Sequence, residues 1–158
     1  MIVVLMGVSG AGKTTIGEAL AQRLGWPLIE GDDYHPAANV AKMAAGTPLT
    51  DADRWPWLDT LNQRIRDERN AVVTCSALKE SYRRRLLAGV HETRLVYLHA
   101  PKALIAARVA ARKHRYMPAS LLESQFPTLE PPAAAIEIDV SGDPQDCVEA
   151  ILAAIGRR

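Results

Sequence analysis

Ile2-Val3-Val4-Leu5-Met6-Gly7-Val8-Ser9-Gly10-Ala11-Gly12-Lys13-Thr14 is the stretch that decides the fold. Its first five residues are apolar and rich in β-branched side chains, the composition of a strand buried on both faces. Gly7 to Thr14 satisfy the pattern G-x-x-x-x-G-K-[ST], in which glycines let the backbone curl with its amide N–H groups turned inward, forming an anion-binding concavity. Lys13 adds a mobile positive charge for the β- and γ-phosphates of a nucleotide, and the Thr14 hydroxyl is placed to ligate Mg²⁺. The residues that follow, Thr15 to Leu24, carry apolar side chains at Ile16, Leu20 and Leu24, which is helical spacing. A helix opening near Lys13 points its unsatisfied N–H groups and positive dipole end at the same anion. Strand, glycine loop and helix in that order are the context the pattern requires. The expected nucleotide contacts are Gly7, Val8, Ser9, Gly10, Ala11, Gly12, Lys13, Thr14 and Thr15, with ATP and Mg²⁺ as the implied cofactors.

At 158 residues the chain is expected to form one domain with a real core. A formal net charge of +1 gives no global electrostatic reason to expect a nucleic acid or membrane partner. Cys75 and Cys147 are too few for a disulfide scaffold or a zinc site and suit a reducing cytosol. The short apolar N-terminus lacks a basic flank, so neither a signal peptide nor a membrane span is expected, and the reading is of a cytoplasmic protein acting on a small molecule.

Beyond Gly25, a C-terminal cap, Trp26 to Glu30 reads as a second strand running into Gly31-Asp32-Asp33-Tyr34-His35-Pro36. In parallel sheets, ligands bind outside the carboxyl ends of the strands. Asp32 is therefore a candidate acceptor of a substrate hydroxyl proton, and Glu30 a candidate partner of Mg²⁺ through water. Strand alternation would send Glu30 and Asp32 to one side and Asp33 to the other. Either aspartate could instead cap a helix opened by Pro36. His35 shares this turn, where substrate contact and local packing are both open.

Thr50 and Asp51 look like caps for a long helix over 54–69, with Trp57, Leu58, Leu61 and Ile65 on its apolar face. For Asp53 and Arg54, substrate contact competes with capping and surface pairing. Ala71 to Cys75 is the expected third strand, followed by Ser76, Lys79 and Arg83, a hydroxyl and two cations suited to a substrate carboxylate. This strand ends without the magnesium-binding Asp of switch NTPases, and neither D-x-x-G nor N-K-x-D follows, which argues against a GTPase. Arg94 to Leu98 is the fourth strand and 102–113 the next helix, whose basic end includes Arg108. Without a strand-end acid, positive charge over the γ-phosphate is expected from a closing lid, with Arg112 and Arg115 as its carriers. A short helix over 119–126, a fifth strand from Ala135 to Val140 and a last helix over 145–155 complete the chain. The loop from Ser141 to Pro144 is a candidate wall for the adenine.

Taken together, Gly7 to Thr14, Gly31-Asp32-x-x-His35-Pro36, Asn39-x-x-Lys42-Met43, Gly46-x-Pro48-Leu49-x-Asp51-x-Asp53-Arg54-x-Pro56-Trp57-Leu58, Cys75-Ser76-Ala77-Leu78-Lys79-x-x-Tyr82-Arg83 and Ser124-Gln125-Phe126-x-Thr128-Leu129-Glu130 closely resemble the gluconokinase family. The resemblance implies an α/β, three-layer P-loop kinase fold: a five-stranded parallel sheet in the order 2-3-1-4-5, helices on both faces and a small lid at about 112–130. It implies ATP-dependent phosphorylation of D-gluconate at its 6-hydroxyl, and a homodimer. Carboxylates and His35 suit the substrate hydroxyls, and Lys79, Arg83 or Arg54 its acid group. One departure stands in the lid, where family members usually read Arg-Lys-Gly-His-Phe and this chain reads Arg112-Lys113-His114-Arg115-Tyr116. A shikimate kinase would instead show three consecutive glycines after the third strand, where this chain has Cys75-Ser76-Ala77.

Overall fold

Five strands pair in parallel in the order β2-β3-β1-β4-β5: β1 (Ile2–Met6), β2 (Leu28–Glu30), β3 (Ala71–Thr74), β4 (Thr93–His99) and β5 (Ile136–Asp139). The computed structural model describes residues 1–111 and 119–156, the side chains of 119–121 excepted. Every residue of β1 and β3 is buried, as expected of central parallel strands that are covered on both faces.

The covering layers follow from the two-residue alternation of β1. Val3 and Leu5 face a layer built from α1 (Lys13–Leu24) and α7 (Pro144–Ala154), where Ile16, Leu20, Val148 and Ile151 pack. Ile2, Val4 and Met6 face α3 (Asp51–Arg66) and α4 (Glu80–Leu86), meeting Trp57, Leu58, Leu61, Ile65, Tyr82 and Leu86. Each such aliphatic side chain contributes about 1.5–3 kcal/mol on burial. A smaller cluster of Val8, Leu78, Ile105, Val109 and Leu122 fastens α5 (Lys102–Ala111) and α6 (Ala119–Thr128) beside the glycine loop.

Several expected boundaries move. The long helix starts at Asp51 rather than Arg54, because Thr50 and Asp53 form a reciprocal capping box: the Thr50 hydroxyl accepts from the Asp53 N–H at 3.1 Å, and the Thr50 N–H donates to the Asp53 carboxylate at 2.8 Å. The helix after β3 starts at Glu80 with Lys79 as its flanking cap, whose carbonyl accepts from the Arg83 N–H at 3.1 Å. Pro127 lies within α6, which runs to Thr128. Gly25 ends α1 as expected, its backbone left-handed at φ 69° and its N–H bonded to the Ala21 and Gln22 carbonyls.

The register sets what meets at the active edge. Thr74 is level with both Leu5 of β1 and Glu30 of β2, so the glycine loop, the Gly31 turn and Ser76 all leave the sheet at one height. Chain connections move from one side of β1 to the other between β3 and β4, and the cleft opens beside this switch.

Candidate active site

The loop from Gly7 to Gly12 is shaped for an anion. Gly10 and Gly12 adopt φ of 86° and 90°, and a Cβ on Gly10 would stand 2.6 Å from the Val109 side chain. Lys13 folds back over the loop, its Nζ donating to the Gly7 carbonyl at 2.8 Å and the Val8 carbonyl at 3.0 Å. The Ser9 N–H donates to Gln125 Oε1 of α6 at 2.7 Å, tying the loop to the residues beyond the expected lid arginines.

Beside the loop, the Thr14 hydroxyl donates to Glu30 Oε2 at 2.9 Å. The other carboxylate oxygen, Oε1, is buried with no hydrogen-bond partner, a lone-pair site that ordinarily demands an occupant. Burial raises the Glu30 pKa, and the Thr14 hydrogen bond partly offsets it. An oxygen donor at Thr14 and an unpartnered carboxylate oxygen next to it fit a hydrated Mg²⁺, which keeps several waters and few protein ligands.

Strand alternation does not govern Asp32, because β2 ends at Glu30 and Gly31–Tyr34 form a 3₁₀ turn. Gly31 is pressed against β3: a Cβ there would lie 2.3 Å from the Thr74 carbonyl oxygen, and the Gly31 carbonyl accepts from Trp57 Nε1 at 2.8 Å. The turn delivers Asp32 and His35 into a cleft that Ser9, Lys13, Arg54, Trp57, Ser76, Ser124 and Gln125 also line. Neither Asp32 nor Asp33 caps α2 (Ala37–Ala44), which is preceded by Pro36 with no side-chain cap. His35 stacks on Trp57, ring centroids 4.0 Å apart and planes 19° from parallel. Burial drives its pKa down to about 4, Asp32 opposing the shift and Arg54 adding to it.

Arg54 is held at the rim by the Leu49 carbonyl at 2.6 Å and the Tyr82 hydroxyl at 3.0 Å, its guanidinium 4.9 Å over the Tyr82 ring. Tyr82 in turn donates to Asp51, and burial, with that bond, pushes its pKa up to about 12. A second cavity of about 460 Å³ lies across the loop, lined by Gly10, Ala11, Gly12, Thr15, Arg108, Gly142 and Pro144 among others. Arg108 donates to the Val140 carbonyl at 2.6 Å, which fixes its stem along that wall.

Three expected substrate contacts lie elsewhere. Arg83 is 5% exposed, and its guanidinium donates to the Ala77 carbonyl at 2.7 Å, the Glu130 carbonyl at 2.9 Å and the Glu80 carboxylate. It holds Ala77, whose φ of 46° is a strained value for a residue with a side chain, and so shapes the loop behind Ser76 without entering the cleft. Lys79 pairs with Asp51 at 3.2 Å. Asp53 is taken up by Lys42 at 2.7 Å and by the capping box, which hold its pKa down to about 2. Arg112 and Arg115 lie outside the described residues.

Sequence reasoning gave no site role to Trp57, Asn39, Ser124 or Gln125. Trp57 reads as one more apolar helix position, and only its N–H, which needs a buried acceptor, hints at more. Gln125 sits 116 residues from the Ser9 it meets, with Ser124 lining the same cleft, and nothing in their spacing signals that meeting.

A parallel sheet with a phosphate loop after its first strand, the Thr14–Glu30 hydroxyl–carboxylate pair beside it and a separate polar cleft have the architecture of a P-loop phosphotransferase. Residues 2–132 match a family described as "AAA domain". A gluconokinase of Gluconobacter oxydans (strain 621H) is 50% identical over 133 residues, spanning 82% of this chain and 75% of that one. A probable gluconokinase of Xenopus tropicalis is 42% identical across 100% of this chain and 95% of its own length. The crystal structure of a gluconokinase from Sinorhizobium meliloti 1021 superposes with a TM-score of 0.89 at 43% identity, covering 98% of this chain and 91% of that one. The chain belongs to the gluconokinase family.

Proposed function

We propose that this chain transfers the γ-phosphoryl group of ATP to the 6-hydroxyl of D-gluconate, giving 6-phospho-D-gluconate and ADP. The observation that carries the reading is convergence: Lys13 and the loop, the Asp32 carboxylate, His35, Ser76 and the Arg54 guanidinium share one cleft. Gluconate is a chain of hydroxyls ending in a carboxylate, and that set offers hydrogen-bond partners for the former and a guanidinium for the latter. With Arg83 and Lys79 engaged elsewhere, Arg54 is the cation of the three that faces the cleft.

Asp32 accepts the 6-hydroxyl proton as the hydroxyl oxygen bonds to the γ-phosphorus, while the bond from that phosphorus to the β,γ-bridging oxygen breaks and ADP departs. Lys13 leaves its own loop carbonyls for the β- and γ-oxygens. Thr14 would ligate Mg²⁺ and Glu30 would hold one of its waters, the ion supplying charge neutralisation at the phosphate oxygens when bound. The cavity from Gly10 to Pro144 would take the adenosine, with Arg108 and Thr15 at its wall. Arg112 and Arg115 are proposed to close over the γ-phosphate.

A cytoplasmic setting and a homodimer complete the proposal; among the described residues no helix is long and apolar enough to cross a membrane. An ADP-release assay across gluconate, shikimate, sugars and nucleoside monophosphates tests the function. Gluconate-dependent ADP is the expected result. Turnover of shikimate without gluconate, or ATP binding that no acceptor in the panel converts to ADP, would overturn it.

A further inference from the structure

We infer that Asn39 is a positioning residue that fixes His35 in the tautomer whose Nε2 carries the proton, so that the ring gives a hydrogen bond into the acceptor cleft instead of taking one. The inference rests on the proposed function only for which molecule occupies the cleft.

Asn39, in the first turn of α2, is 3% exposed. Its side-chain nitrogen lies 3.0 Å from the Asp53 carbonyl oxygen and 3.2 Å from His35 Nδ1. A carbonyl oxygen can only accept, so the contact with Asp53 assigns the amide's NH₂ end to this position. The same NH₂ turns its second hydrogen to Nδ1, which must therefore present a lone pair. The proton of a neutral imidazole is then left on Nε2.

The rest of the ring's surroundings agree. Trp57 clamps one face by stacking, and its own N–H is anchored on the Gly31 carbonyl, so the ring plane is set independently of Asn39. Nε2 looks toward Asp32 Oδ1 at 3.9 Å. That separation is too long for a hydrogen bond and leaves room for a substrate oxygen to meet both groups. The charged groups that face the ring are Asp32 from the 3₁₀ turn and Arg54 from α3, with Lys13 across the same cleft. An imidazolium would set an Nδ1–H against the Asn39 NH₂, two donors with no acceptor between them, and burial opposes that charge as well.

The chemical consequence is a division of labour. A ring with a proton on Nε2 donates to a lone pair of the acceptor hydroxyl and cannot take its proton, so Asp32 is left as the group that does. His35 orients the oxygen and Asn39 orients His35, as a carboxylate orients the histidine of a hydrolase triad.

The test is long-range ¹H–¹⁵N correlation on the full chain labelled at histidine nitrogen, at neutral pH and without acceptor, with His35→Gln to assign the ring. The unaltered chain is expected to show an unprotonated Nδ1 and a protonated Nε2. Asn39→Asp replaces a donor by an acceptor, so Nδ1 gains a proton and the ring titrates at higher pH. Asn39→Ala removes the preference and averages the two nitrogens, which keeps the inference open to refutation even if Asn39→Asp fails to fold. In kinetics, Asn39→Asp should lower kcat/KM for gluconate on the order of tenfold or more, give its pH profile a new ionisation, and leave the KM for ATP within about twofold. A protonated Nδ1 in the unaltered chain, or nitrogen signals unchanged in both variants, would overturn the inference. Because the spectrum is read without acceptor, failure of the gluconate reading and failure of this one are told apart.

Discussion

Asp32 is a half-exposed carboxylate whose importance comes from its company, and the company was only partly visible in the sequence. Its position four residues ahead of Pro36 and two beyond a strand end marked it for the cleft, though the alternation used to aim it fails once the chain enters a 3₁₀ turn. Asp32→Asn should reduce kcat on the order of 10²-fold with ATP affinity nearly kept, measured by steady-state kinetics and nucleotide titration; near-normal turnover would remove it from the mechanism. His35 makes a separate prediction about stability. Its folded pKa of about 4 lies below the ordinary 6.5, so the unfolded chain takes up the proton first as pH falls. The contribution is fully present above about 6.5 and is lost on acidification toward 4. Urea unfolding across that interval should show a falling free energy whose slope is reduced in His35→Gln. Arginine-rich segments were the least legible: Arg54 and Arg83 look alike in sequence, and only the carbonyls around Arg83 reveal which one is internal.

At the scale of elements, the stretches that could be read were those whose local chemistry and tertiary surroundings agree. The strands β1 and β3 are buried on both faces and read as unbroken apolar runs, and Gly25 ends α1 where a left-handed residue is needed. Thr50 caps α3 as its sequence suggests, but the helix begins at Asp51 rather than Arg54, because Asp53 is the return half of a capping box and lies inside the first turn. The connection from Ala77 to Glu80 depends on Arg83, which bridges it to Glu130, two residues beyond α6. Arg83→Met should leave the Ala77 and Glu130 carbonyls without that donor and cost about 2 kcal/mol or more in denaturant unfolding. The KM for gluconate of the folded fraction should stay near normal; a selective rise in KM with full stability would return Arg83 to the substrate.

For the whole molecule, the order β2-β3-β1-β4-β5 puts the phosphate loop on the central strand, so the cavity on one side of the loop draws on α1, α5 and α7 while the cleft on the other draws on the Gly31 turn, α3 and α6. The phosphate loop was legible because one contiguous motif supplies it. The cleft beside Asp32 was less so, since Asn39, Trp57, Ser124 and Gln125 reach it only through long-range packing. Ligand linkage gives a global measurement: Mg·ATP at about a hundredfold above its dissociation constant should add about 2.7 kcal/mol to unfolding, and an unchanged melting curve would contradict the loop's assignment. Gly31 brings the two halves to a common tolerance. With the Thr74 carbonyl 2.3 Å from where a methyl would sit, Gly31→Ala would wedge the second strand off the third like a shim under a door hinge. The nucleotide should still dock as before, but Asp32, the proposed proton acceptor, would hang out of true, and stopped-flow traces should show a slowed transfer step behind an unaltered binding phase.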